Sequence, residues 1–160
     1  MLVQNHERLT TMLAEVIRSG TVNRTMLQAE AEKMPWGLED SYQVIYVQPS
    51  AQDVYYSALD YQCRELTRLL GDAAAFVYEA SIICVLHKVS GDEKKNRDAD
   101  FTVYVRENDF RAGTSNIFNG LYKIHDYYRQ AQLALSIGMK ENPMHWIHAF
   151  SDVTFGYLLN

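Results

Sequence analysis

The sequence predicts an α+β fold, an antiparallel sheet packed by helices. Three observations carry this: β-rich runs bounded by turn residues, apolar stripes at helical spacing between them, and one connection too short for a parallel crossover. At 160 residues the chain is long enough for one domain with a real core.

Residues 5 to 18 place Leu9, Met12, Leu13, Val16 and Ile17 on one face, the stripe of an amphipathic helix that Gly20 ends. Asn23 or Thr21 is positioned to cap a second helix over 24 to 34, which Pro35 breaks. Trp36-Gly37 then leads into Tyr42 to Val47, a strand bounded by Pro49 and Ser50. From Gln52 to Leu70, Tyr55, Leu59, Leu66 and Leu70 recur at helical spacing until Gly71-Asp72 stops the helix. Ala75 to Tyr78 and Ile82 to Leu86 follow as strands, separated only by Glu79, Ala80 and Ser81. So short a link permits a hairpin and no crossover.

Gly91 to Asp100 is a polar loop or the fraying start of a helix. Phe101 to Val105 is ambiguous: its β-branched residues favour a strand, while Phe101 and Val105 at i, i+4 favour a helix. Phe110 to Ser115 reads as a short strand. Asn119-Gly120 turns the chain into a long helix over 121 to 138, where Leu121, Ile124, Tyr128, Ala131 and Leu135 form a stripe and Gly138 closes the helix. Trp146 to Phe150 reads as a final strand. Ser151 or Asp152 is placed to cap a terminal helix ending at Tyr157-Leu158-Leu159. This element order suggests a sheet of the ferredoxin-like kind.

Composition excludes several classes of function. Fifteen basic residues are dispersed among 20 acidic ones, for a net charge of −5. The densest basic stretch, Lys94, Lys95 and Arg97, is bracketed by Asp92, Glu93 and Asp98, so no basic face for nucleic acid emerges from this segment. No apolar run reaches the roughly 20 residues of a membrane span. Glu7, Arg8 and Glu15 interrupt the N-terminus, unlike a secretory signal. Cys63 and Cys84, in apolar surroundings and without CxxC spacing, point to a reducing, cytoplasmic compartment.

Candidate chemistry is sparse. His145 and His148 form an i, i+3 pair, but a tetrahedral metal site needs two further ligands and none is spaced nearby. His125 and His87 read as packing or strand-end residues. The carboxylates Asp92-Glu93 and Asp98/Asp100 lie in a solvated stretch where nothing raises a pKa or holds a cation. Ser81, Ser115 and Ser151 lack a GxSxG context, and neither GxxxxGK[ST] nor GxGxxG is present. The reading is therefore of no enzyme, no cofactor and no metal. The more unusual feature is 11 tyrosines, several of them on the two main helices. Tyrosine buries area while keeping a polar tip, which suits an interface. Leu9, Met12, Leu13, Val16, Tyr55, Tyr122 and Tyr127 are the candidate interface of a homodimer.

Arg111-Ala112-Gly113-Thr114-Ser115, Gly120-Leu121, Tyr127-Tyr128-Arg129-Gln130-Ala131 and Ala134-Leu135 follow a familiar rhythm. It resembles the GGDEF-like domain of purine-catabolism and sugar-diacid regulators, the PucR/CdaR family. The helix to Gly20, Trp36-Gly37 and Tyr42 to Val47 resemble that family's lead-in and first strand. Phe150-Ser151-Asp152 and Tyr157-Leu158-Leu159 resemble its closing strand and helix.

The resemblance implies a nucleotide-cyclase-like fold, a helical lead-in over 1–37 and a degenerate GGDEF-like domain over 38–160. It also implies a helix at Phe101 to Val105. A cyclase keeps its GG(D/E)EF motif where this chain has Tyr78-Glu79-Ala80-Ser81, and a metal-binding aspartate where it has Gln48-Pro49-Ser50. With both gone, the resemblance implies a non-catalytic regulatory and dimerisation domain of a bacterial transcriptional regulator. DNA would be reached through a C-terminal helix-turn-helix outside this chain, which would then be a piece of a longer regulator. A small-molecule effector sensor is the alternative reading, and a residual cyclase the third.

Overall fold

The computed structural model describes residues 2–49, 56–87 and 92–153. Two helices lead in, α1 (Leu2–Ser19) and α2 (Arg24–Glu32), followed by strand β1 (Ser41–Pro49) and helix α3 (Tyr56–Leu70). The hairpin of β2 (Ala73–Tyr78) and β3 (Ser81–His87) comes next, then helix α4 (Asp92–Glu107) and strand β4 (Phe110–Thr114). The short strand β5 (Phe118–Asn119), a 3-10 turn at Leu121–Lys123, helix α5 (Ile124–Glu141) and strand β6 (Ile147–Ala149) complete the described chain.

The strands form one sheet in the order β2-β3-β1-β4-β6, with β5 beside β1. Every pairing is antiparallel except β4 with β6. This is the predicted α+β sheet packed by helices. Both its faces are covered, which explains why β3 reads as a continuous apolar run and is buried at every position. On one face, Val44, Tyr46, Ile83 and Val85 meet α1, α2 and α5; on the other, Ile45, Val47, Ile82 and Cys84 meet α3 and α4.

The helix ends follow from local chemistry. Gly20, at φ +74°, donates its N–H to Val16 O and stops α1 in a conformation that costs other residues energy. The Asn23 side chain accepts from the Met26 N–H, 3.1 Å away, and so caps α2. Thr21 is not the cap.

The lead-in shares a single core with the sheet. Leu9, Leu13, Leu27 and Trp36 pack in one cluster with Tyr42, Phe76, Leu121 and Ile124. Each fully buried leucine of this kind contributes about 1.5–3 kcal/mol.

Two open readings resolve to helix, the second as the family resemblance implied, and other expectations change. The 91–100 stretch is helical from Asp92, and Phe101 to Val105 is helix, with Phe101 and Val105 buried on the face toward the sheet. Ser81 belongs to β3, so the hairpin turn is Glu79-Ala80 alone. Both residues have positive φ, +48° and +63°, as the right-handed twist of a two-residue hairpin demands. Phe118–Asn119 forms a strand that its length hid from any periodicity.

Gly138 does not end the long helix, which runs to Glu141. It is a packing glycine instead: a Cβ there would lie 2.2 Å from His148 Nδ1. Gly113 has the same role on β4, where a Cβ would fall 2.1 Å from Ala131 O. Helical residues resume at Phe150, ahead of Ser151 and Asp152. Tyr157-Leu158-Leu159, Tyr55 and Ser50 lie outside the described residues.

Candidate functional site

Two places combine position and chemistry: the hairpin end of the sheet and the opposite end of β3. At the hairpin end, Val47 of β1 pairs with Ile82 of β3, which brings Gln48 and Pro49 beside the Glu79-Ala80 turn. Sheet topology thus joins the two segments where cyclase machinery was expected. The residues present are aromatic. Tyr128 of α5 sets its ring edge-on to Tyr46 (5.9 Å, 75°) and to Tyr78 (5.6 Å, 81°). Ser81 Oγ donates to Tyr46 Oη over 3.0 Å. Burial pushes the Tyr128 hydroxyl above its ordinary range, with Tyr46, Tyr78 and Glu79 adding to the effect. A cavity of about 460 Å³ beside this cluster is lined by Gln48, Gln132, Ser136, Leu133 and Met139, none of them charged. A triphosphate and its metal ions need cations and carboxylates.

The opposite end is charged. His87, 3% exposed, closes β3 in register with Tyr42. Its Nδ1 lies 2.6 Å from Asp72 Oδ2 and its Nε2 lies 2.8 Å from Asp40 Oδ2. Each ring nitrogen thus faces a carboxylate oxygen within hydrogen-bond distance. Trp36 stacks on it at 5.2 Å and 25°, and donates its indole N–H to Asp72 Oδ1 over 2.7 Å. Asp40 also accepts the Gly37 N–H, and Tyr42 donates its hydroxyl to Gly37 O over 2.6 Å. Burial first, then the charges of Asp40 and Asp72, pushes the Tyr42 hydroxyl upward.

This cluster ties the lead-in (Trp36, Asp40) to β3 and to the α3–β2 turn. Among the described residues, the His87 ring nitrogens bond only carboxylates, not the serine, threonine or cysteine nucleophile that an acid–histidine pair would activate. Cys63 and Cys84 sit in the core on the other face, where burial raises both thiols, Cys63 to about 12. The arrangement is a buried electrostatic clasp.

The candidate interface residues are placed differently from the expectation. Leu9 and Leu13 are 0% exposed and Val16 4%, all inside this chain's own core, so that stripe is occupied by the sheet and α5. Met12 is half-buried against the same core. Tyr122 donates to Glu39 over 3.0 Å and lies under the Arg24 guanidinium at 3.7 Å. Tyr127 stacks on Phe118 at 4.1 Å and 7°. The histidine pair stays close, with ring centroids 6.2 Å apart, but differs in burial: His148 is buried against Gly138, while His145 is exposed. Among the described residues no group of three metal-ligating side chains converges, and no helix is long and apolar enough to cross a membrane.

Sequence reasoning missed the clasp. Its members come from three separated segments, and each has a bland local reading: Trp36 as lead-in, Asp72 as helix stop, His87 as strand end. The available signal was the register that sets Tyr42 opposite His87.

Among curated protein sequences, none matches this chain. Among solved structures, the chain is similar to a regulator of polyketide synthase expression from Bifidobacterium adolescentis, at 14% identity and a TM-score of 0.54. That similarity covers 88% of this chain and 52% of the other, so this chain spans about half of that regulator's length. At such identity the likeness is one of fold. Residues 19–137 match the GGDEF-like domain, from the end of α1 through the 3-10 turn and most of α5. The chain belongs to the GGDEF-like domain family.

Proposed function

We propose that this chain is a non-catalytic regulatory domain of a bacterial transcriptional regulator of the PucR/CdaR type. It acts as a cytoplasmic homodimer and relays a signal to a DNA-binding helix-turn-helix. The observation that carries this reading is the tyrosine packing at the hairpin end, where Tyr78, in the segment that the family resemblance sets against a cyclase's motif, packs with Tyr46 through the edge-on ring of Tyr128. Family membership and the likeness to a solved regulator support it. With the α1 stripe turned inward, the homodimer would draw on the exposed parts of Met12, Tyr122 and Tyr127.

A second reading, a metabolite sensor, is favoured by a cavity of about 510 Å³ between α4 and the sheet. Ile45, Phe101 and Ile147 line its apolar part, and Asp98, Thr102 and Asn116 its polar part. One thermal-shift experiment tests both readings, using GTP with manganese, purines and sugar acids as probes. The regulatory reading expects no shift with GTP and manganese. A GTP shift accompanied by product formation would overturn it. A shift with a purine or sugar acid, worth about 2.7 kcal/mol at a hundredfold excess over Kd, would establish the sensor.

A further inference from the structure

Strand β2 ends the sheet, and its outer side is an open backbone edge. Tyr78 and Ser81 flank a two-residue turn, which makes them a hydrogen-bonded pair. Alternation along the register then turns Phe76 and Ala74 toward β3, and Ala75 and Val77 away from it. The N–H and C=O groups of Ala75 and Val77 have no partner among the described residues. An unpaired edge of this kind is a template for another strand.

The edge lies at the bottom of a cleft of about 440 Å³. Glu7 and Thr10 of α1 form one wall, Asp60 and Arg64 of α3 the other, and Ala75 and Val77 the floor. Ala75 is only 9% exposed although no described residue is bonded to its outer side, so the helices overhang the edge. That geometry selects the occupant. A second copy would bring its own α1 and α3 against these two walls. A lone extended segment fits between them, because an added strand lies only about 4.8 Å from its neighbour. The walls carry two carboxylates against one guanidinium, within a chain of net charge −5. An added strand points successive side chains to opposite faces, so adjacent residues would meet Glu7 and Asp60.

We propose that the β2 edge is a peptide-binding groove that takes an extended, basic segment of a partner protein as an additional strand. Backbone pairing at Ala75 and Val77 would supply affinity, and the Glu7 and Asp60 carboxylates selectivity for adjacent Lys or Arg.

Amide hydrogen exchange tests this. The probe is a terminally blocked hexapeptide of valine and threonine carrying two adjacent lysines. The expected result is slowed exchange at the Ala75 and Val77 amides. Val77→Pro removes an edge N–H that no strand of the sheet uses, and it should weaken the peptide about tenfold. Glu7→Lys with Asp60→Lys changes only exposed side chains, so the fold survives even where the proline variant fails. It should reverse the preference toward the same peptide carrying two glutamates. Unchanged exchange at millimolar peptide, or unaltered preference in the double lysine variant, would overturn the proposal. So would edge protection that appears without peptide and fades on dilution, which would assign the edge to a second copy.

Discussion

His87 and His148 are almost equally buried, 3% and 4% exposed, and the protein treats them in opposite ways. His87 has a carboxylate oxygen at each ring nitrogen and an indole stacked on its face. His148 lies against the Cα of Gly138, its Nε2 without a hydrogen-bond partner and Arg111 among its charged neighbours. Burial pushes His148 below the ordinary histidine range; a backbone hydrogen bond with His145 opposes it, and the charges of His145 and Arg111 act with burial. Burial alone therefore says little about what a histidine does. Its ring neighbours decide whether it serves as a hydrogen-bonded tie or as a packed filler.

The largest effect should come from breaking the tie. His87→Ala leaves Asp40 and Asp72 facing each other without the ring and opens a space beneath Trp36. Both carboxylates reach solvent, so the loss should be about 2–3 kcal/mol, below that of a completely buried pair. Chemical denaturation reads it directly. Loss of less than about half a kcal/mol would remove the clasp as a structural element.

The next effect probes the filler. Gly138→Ala drives a methyl group into the His148 ring and should cost about 1–3 kcal/mol, although alanine is the better helix former by about 1 kcal/mol. A stabilised variant would mean that the ring can leave its place.

The smallest effect is in pH dependence. The unfolded chain takes up a proton at His148 near the ordinary value of 6.5, and the folded chain only at lower pH. Stability from this residue is therefore present above about pH 6.5 and declines as pH falls through that region. In denaturation curves between pH 5 and 8, His148→Asn should flatten this part of the acid slope. An unchanged slope would show that His148 gains its proton equally well in both states.

The two histidines also mark how far the sequence could be read. Helices and strands were legible because their stabilisation follows local pattern: Leu9, Leu13 and Val16 share a face, and Ile82 to Leu86 of β3 form an unbroken apolar run. The hairpin was legible from the length of its link. The roles of the histidines were not, because they depend on neighbours that no local spacing encodes. His145 and His148 drew attention by sitting three apart, yet β6 buries His148 while His145, ahead of the strand, stays exposed. His87 looked ordinary because Trp36, Asp40 and Asp72 reach it only once the sheet is assembled. Gly138 resembled a helix stop for a related reason: a missing side chain reads the same whether it frees the backbone or makes room for a ring.

The two close approaches of α5 have a mechanical consequence. At Gly113 the helix backbone touches β4, and at Gly138 it touches β6 through His148, contacts about two helical turns apart. A rod held at two points against a plate resists both sliding along it and rolling on it, here against backbone at Gly113 and against the His148 ring at Gly138. Helix α5 and the β4–β6 side of the sheet are thus one stiff plate, and a displacement applied to either part reaches the other in full. Compliance must be sought elsewhere, in the joints between this plate and the elements around it.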